Sequence, residues 1–162
     1  GVHHSNNWPM SIVRFFNVYG PRQNPIFVIS KSIHRVLNGN QPELYDGGSQ
    51  TRCFTYIDDV VEGLISAANE EKAIGEVINL GNPIEITMKE AVNIILDESK
   101  SELKPIDVYT DQRYGEVYED INRRVPDVSK AKQLLDWTPH TDLRQGVKNI
   151  IEWAKENDWY LR

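Results

Sequence analysis

Two short apolar runs limit what this chain can fold into. "MSIVRFFNVYG" (10–20) is stopped by Gly20-Pro21, and "EVINLG" (76–81) by Gly81-Asn82-Pro83. Each reads as a buried strand that leaves into a loop. Around them the apolar residues fall at helical spacing. Ile29, Ile33, Val36 and Leu37 form one stripe, closed by Asn38-Gly39. A second helix is expected from a cap at Asp58 or Asp59, with Val61, Leu64, Ile65 and Ala68 as its core face. Thr87 and Glu90 stand at capping-box spacing before a third, buried through Met88, Ala91, Val92 and Ile95. "PELYD" (42–46) predicts a short strand, and the alternation of "PIDVYT" (105–110) an edge strand. One later helix starts near Asp127 and buries Ala131, Leu134 and Leu135. The last has Asp142 and Gln145 at capping spacing and a stripe of Leu143, Val147, Ile150, Ile151 and Ala154. Strands alternating with helices predict α/β architecture with a largely parallel sheet. Two fully buried strands are few for such a sheet, so part of it is expected to be absent.

With 162 residues the chain amounts to one domain. Its 24 acidic residues against 18 basic ones give a net charge of -6, which argues against nucleic acid or an anionic membrane as a general partner. An anionic small molecule would need a local cluster of arginines. Cys53 is the one cysteine, so there is no internal disulfide, which suits a reducing cytoplasm. No signal peptide and no apolar stretch of roughly 18 residues is visible, and a cytoplasmic location is the expectation.

Three stretches could carry chemistry. In "DGGSQTRCFTYIDDV" (46–60), Gly47 and Gly48 let the backbone turn tightly and approach a ligand. Arg52 then presents a planar fork of donors suited to phosphate. The same pattern also fits a hairpin turn with a solvated arginine. "RFFNVYGPRQ" (14–23) places Asn17 at the end of a buried strand, where ligands of open α/β sheets sit, although asparagine is also a common turn former. "YGEVYEDINRRVPD" (114–127) gathers Tyr114, Tyr118, Arg123 and Arg124 in a long aperiodic loop before a helix. A surface loop would read the same way.

Taken with "INLGNPIEIT" (78–87) and "RRVPDVSKAKQLLDWTPHTDLRQGV" (123–147), these stretches resemble, in order and spacing, the C-terminal half of the extended short-chain dehydrogenase/reductases. These are the NAD-dependent sugar-nucleotide epimerases, dehydratases and decarboxylases. The resemblance runs from about Pro9 to Trp153. "YGEVYEDINRRVPD" and "DGGSQTRCFT" look most like the UDP-glucuronate decarboxylase group and its bacterial relatives. Glu43 departs from the decarboxylase of the aminoarabinose pathway, which carries a lysine there.

The resemblance implies the C-terminal part of a Rossmann-type NAD-binding sheet plus a small α/β substrate-binding subdomain. It implies a UDP-sugar or another nucleotide sugar as ligand. It gives Asn17 contact with the sugar-diphosphate, Arg52 a salt bridge to the phosphates, and places Tyr118 and Arg124 in the loop that closes over the sugar. The arginine matching Arg124 is linked in the decarboxylases to carboxylate binding and proton delivery. Arg22 and Arg113 are further candidates for substrate binding.

Members of the family hold NAD on a glycine-rich turn and use a tyrosine with a lysine four residues on. This sequence contains no Gly-x-x-Gly-x-x-Gly, and no tyrosine with a lysine four positions later. Residues 1–162 are therefore expected to be a single C-terminal nucleotide-sugar-binding region without the dinucleotide-binding half. NAD then belongs to the parent enzyme and not to this chain alone, which is expected to be inactive by itself. A decarboxylase comes first among the reactions, then a dehydratase or epimerase. The alternative is a non-catalytic binding or interaction remnant of the same fold. With sheet neighbours missing, self-association is also expected, by pairing of exposed strands or a swap of the segment before Arg14.

Overall fold

The computed structural model describes residues 8–109 and 123–162. In chain order its elements are β1 (Ile12–Phe15), β2 (Val18–Tyr19), α1 (Val28–Leu37), β3 (Glu43–Tyr45), β4 (Thr51–Arg52) and β5 (Thr55–Tyr56). Then come α2 (Ile57–Asn69), β6 (Val77–Leu80), β7 (Ile86–Thr87), α3 (Met88–Ser99), β8 (Ile106–Val108), α4 (Ser129–Leu135) and α5 (Leu143–Glu156). Three pairings are parallel: β1 with β6, β2 with β5, and β3 with β8. Among the described residues β4 and β7 alone run antiparallel. The α/β expectation from the strand–helix alternation holds.

Two apolar cores divide the molecule. The smaller gathers Ala67 of α2, Ile78 and Leu80 of β6, Ala131 and Leu135 of α4, and Trp137. Gly63 makes that packing possible, because a Cβ there would lie 2.8 Å from Leu80 and 3.0 Å from the Trp137 ring. The larger core joins α1, α3 and α5 around Tyr19, Leu44, Phe54 and Tyr56. Here the sequence pattern reads through directly. Thr87 and Glu90 close a capping box at α3, and Met88, Ala91, Val92 and Ile95 are buried beneath it. Asp142 caps α5 by accepting from Gln145 N–H at 2.8 Å. The first core lies against the parallel β1–β6 pair and the second among α1, α3 and α5.

Three expectations need correction. β1 is not buried, since Ile12 and Phe15 are 54% and 50% exposed. Its partner β6 buries Ile78 and Leu80 only. The core face of α2 is not Val61, Leu64, Ile65 and Ala68 but Asp59, Val60, Gly63 and Ala67. Nor is either aspartate a cap: Tyr56 takes that position, without a side-chain bond. The cause lies in Asp59, which is fully buried. Its carboxylate accepts from Thr141 N–H at 3.0 Å, Thr141 Oγ1 at 2.9 Å and His140 N–H at 3.3 Å. Its backbone oxygen accepts from the Trp137 indole at 2.8 Å. A carboxylate must follow its donors, so the helix turns Asp59 inward and leaves the apolar stripe outside.

Replacing Asp59→Asn puts an amide donor among backbone donors. We expect a loss of about 2–4 kcal/mol in stability, read from urea unfolding. Thr141→Val, which removes one donor, should cost about 1 kcal/mol.

Tyr19 gives a pH prediction. Burial, then Tyr56 and the Asp142 and Asp59 carboxylates, push its ionisation well above the ordinary value. The unfolded chain releases this proton near pH 10 while the folded one keeps it, so stability is full below about pH 10 and falls as pH rises. Tyr19→Phe should make that alkaline fall shallower.

Candidate functional site

β1 and β6 are parallel, so their C-terminal ends open at one rim, the place where open α/β sheets receive ligands. A single side chain ties that rim together. Thr55, fully buried, donates its hydroxyl to Phe16 C=O at 2.8 Å and accepts from Asn82 N–H at 2.9 Å. Its own N–H donates to Asn17 C=O at 3.2 Å. One threonine thus joins the end of β1, the start of β5 and the turn after β6.

Asn17 sits on this floor. Its φ of 37° lies in the left-handed region, which asparagine tolerates better than most residues. The backbone reverses there, and the side-chain amide donates to Cys53 C=O at 2.9 Å. That bond connects Asn17 to the residue next to Arg52. Arg52 is half-buried on β4, where Nη1 donates to Thr51 C=O at 2.7 Å. The preceding turn does require its glycines. Gly48 has a φ of 68°, and a Cβ on it would meet the Lys89 backbone nitrogen at 2.9 Å. The Cys53 thiol is buried, and burial raises its pKa.

The segment 123–127 crosses the same rim. The Arg124 guanidinium stands over the Phe16 ring at 5.7 Å. Pro126 lies against Gly81, where a Cβ would come within 2.8 Å of it, and Asn79 Nδ2 donates to Asp127 C=O at 2.9 Å. Arg123 takes a different partner, Glu85, at 2.7 Å, and Thr51 Oγ1 donates to the same carboxylate at 3.0 Å. The Arg123 and Thr51 bonds hold the Glu85 carboxyl below its ordinary range. Both adjacent arginines are exposed; Arg123 is engaged by an acid and Arg124 stands over the floor.

The structure thus places Asn17 against the backbone of Cys53, the residue after Arg52, and Arg124 over Phe16, the residue before Asn17. Arg22 is exposed on the loop after β2 with a φ of 67°, and among the described residues no hydrogen bond or ion pair joins it to Asn17, Arg52 or Arg124. Arg113, Tyr114 and Tyr118 lie outside the described residues. Sequence reading missed Thr55, Phe16 and Glu85. A hydroxyl inside the apolar run "CFTYI" was the available signal, because a buried polar group needs partners.

The profile of the GDP-mannose 4,6 dehydratase family matches residues 1–150. The chain belongs to that family. Among curated proteins it is 39% identical over 151 residues to UDP-N-acetyl-alpha-D-glucosaminuronate decarboxylase of Bacillus cytotoxicus, covering 91% of this chain and 47% of that protein. It is 33% identical over 159 residues to UDP-glucuronate 4-epimerase of Thermodesulfobacterium geofontis, covering 96% of this chain and 46% of that one. Its fold matches the UDP-glucuronic acid 4-epimerase of Bacillus cereus, solved with UDP-glucuronic acid and NAD. There the TM-score is 0.83 and the identity 30%, with 96% of this chain and 48% of the epimerase covered. The chain spans about half the length of these relatives.

Among this chain's described residues no helix starts from a glycine turn of the kind that takes a dinucleotide pyrophosphate. Their five helices follow Phe27, Tyr56, Thr87, Val128 and Asp142, none of them a glycine turn. At α3 and α5 the capping side chains already use first-turn donors.

Thr55→Val keeps the shape of the floor but leaves Asn82 N–H and Phe16 C=O without their partner. Destabilisation of about 2–4 kcal/mol is expected, with most of it recovered in Thr55→Ser. Thermal unfolding of the two variants compares them directly.

Proposed function

We propose that this chain is the nucleotide-sugar-binding part of an NAD-dependent sugar-nucleotide enzyme, with a UDP-hexuronate as its ligand and decarboxylation as the reaction of the whole protein. The observation that supports the reading is the rim tied by Thr55, where Asn17 bonds Cys53 C=O beside Arg52 in sequence and Arg124 stands over Phe16. Arg52 follows the glycine turn and offers a fork of donors for the diphosphate. Asn17 lies two residues past the end of β1, where the sugar-diphosphate would lie. Arg124, fixed over Phe16 while Glu85 engages its neighbour, would face the sugar carboxylate. Among the relatives, the names UDP-N-acetyl-alpha-D-glucosaminuronate decarboxylase and UDP-glucuronic acid decarboxylase 1 support an acidic sugar.

The sequence holds no tyrosine with a lysine four residues on. In this reading residues 1–162 bind and orient the nucleotide sugar, and do not turn it over by themselves. A binding protein without catalysis would use the same rim.

Calorimetric titration with UDP-glucuronate tests the proposal. Weak saturable binding is expected. Arg52→Ala and Arg124→Ala should each lose about 1.5–3 kcal/mol, since both remove a charge-assisted contact to an anion. Arg52→Lys should recover part of the loss, because a point charge lacks the bidentate fork. Binding by Arg52→Ala as tight as by the unaltered chain would reduce the glycine–arginine loop to a turn.

A further inference from the structure

Glu85 stands one residue before β7, and its two carboxylate oxygens take different partners. Oε1 accepts from Arg123 Nη2 at 2.7 Å, and Oε2 accepts from Thr51 Oγ1 at 3.0 Å. Thr51 precedes Arg52 in the chain, and Arg123 precedes Arg124. One acid therefore grips the neighbour of each arginine that the proposed function assigns to the ligand. Strand pairing makes it a firm post. Ile86, the next residue, is paired with Arg52 across the β4–β7 ribbon, and Thr87 is paired with Thr51.

Arg124 has no such post of its own. It is exposed, and among the described residues it makes no hydrogen bond or ion pair; its guanidinium lies over the Phe16 ring at 5.7 Å. A ring face attracts a cation without fixing the direction from which it comes. That direction is set by the backbone, which is held on both sides of the residue. Downstream, Pro126 is buried against Gly81, where an added Cβ would also meet Phe16 Cβ at 3.0 Å, and Asn79 Nδ2 donates to Asp127 C=O at 2.9 Å. Upstream, among the described residues, the hold is the Arg123–Glu85 bond. An exposed ion pair adds little to stability. Its consequence here is orientation.

We infer that Glu85 is a positioning residue: by gripping Thr51 and Arg123 together it sets the span between Arg52 and Arg124, and so fits the site to a nucleotide sugar with a second anionic group beyond its diphosphate. The inference rests on the proposed roles of the two arginines, whereas the placement of Arg124 by Glu85 can be read without any ligand. Charge and positioning predict opposite signs. Glu85 is a negative charge beside a site for anions, so its field alone opposes the ligand, screened over about 10 Å at 0.1 M salt. If the field were all that mattered, deleting the acid would tighten binding. If Glu85 sets the span, deleting it weakens a ligand that bridges both arginines and spares one that reaches Arg52 alone.

The test uses the full 162-residue chain with Glu85→Ala and, from the other end of the same bond, Arg123→Ala. In calorimetry Glu85→Ala should bind UDP-glucuronate about tenfold more weakly than the unaltered chain, as loss of a well-aimed charge-assisted contact would do. Binding of UDP, which lacks the sugar carboxylate, should stay within about twofold. Added to Arg124→Ala, Glu85→Ala should weaken UDP-glucuronate by less than about twofold more, because the two act through one contact. Without ligand, the Arg124 Nε–H resonance should move in both Glu85→Ala and Arg123→Ala toward its position in Phe16→Leu, where the ring is gone. Unchanged or tighter UDP-glucuronate binding by Glu85→Ala would overturn the inference. So would equal losses for UDP-glucuronate and UDP, or an Arg124 resonance unmoved in both variants. If the unaltered chain binds no UDP-glucuronate, the functional reading fails, and the ligand-free resonance alone decides whether Glu85 places Arg124.

Discussion

The hydroxyl of Thr55 holds the candidate site in shape. Parallel strands fix only that β1 and β6 end at the same rim, and leave the turns beyond them free to separate. By donating to Phe16 C=O and accepting from Asn82 N–H, one buried side chain removes that freedom. The Asn17 side chain then reaches Cys53, and Pro126 closes on Gly81. Each of these contacts is local and short. Together they bring three stretches far apart in sequence to one rim.

A second buried polar group, Asp59, does comparable work one turn further on. It binds the 140–141 backbone to the first turn of α2, while the Trp137 indole bonds its carbonyl. That clamp sets how α2 is rotated about its axis. The rotation buries a small face, with Gly63 and Ala67, against β6 and turns the larger apolar side chains outward. The rim and the uncovered face are thus consequences of neighbouring polar anchors, on β5 and at the start of α2. Two arginines in sequence are likewise given different surroundings by one acid, Glu85.

Local grammar in the sequence was enough for much of the fold. The Thr87–Glu90 capping box and the Asp142 cap appear where their spacing placed them, because both depend on residues three apart. The stripes of α1, α3 and α5 face one core, as periodicity predicts. The rotation of α2 was not legible, since Val60, Gly63 and Ala67 compete with Val61, Leu64, Ile65 and Ala68 as an apolar face. Only the long-range donors at His140 and Thr141 decide between them. For the site, residue types and the family resemblance pointed to Asn17, Arg52 and Arg124. Thr55 was missed because its role is defined by partners 39 residues before it and 27 after it.

The central claim is that the rim of β1 and β6 holds the nucleotide sugar. Nuclear magnetic resonance on the isotope-labelled chain tests it most directly, by following side-chain signals during addition of UDP-glucuronate. The account predicts saturable shifts of the Asn17 side-chain amide and of the Arg52 and Arg124 guanidinium signals, together with the Asn82 backbone amide. Shifts confined to a groove between β1 and α2, with Asn17 and both arginines unmoved at saturation, would contradict it.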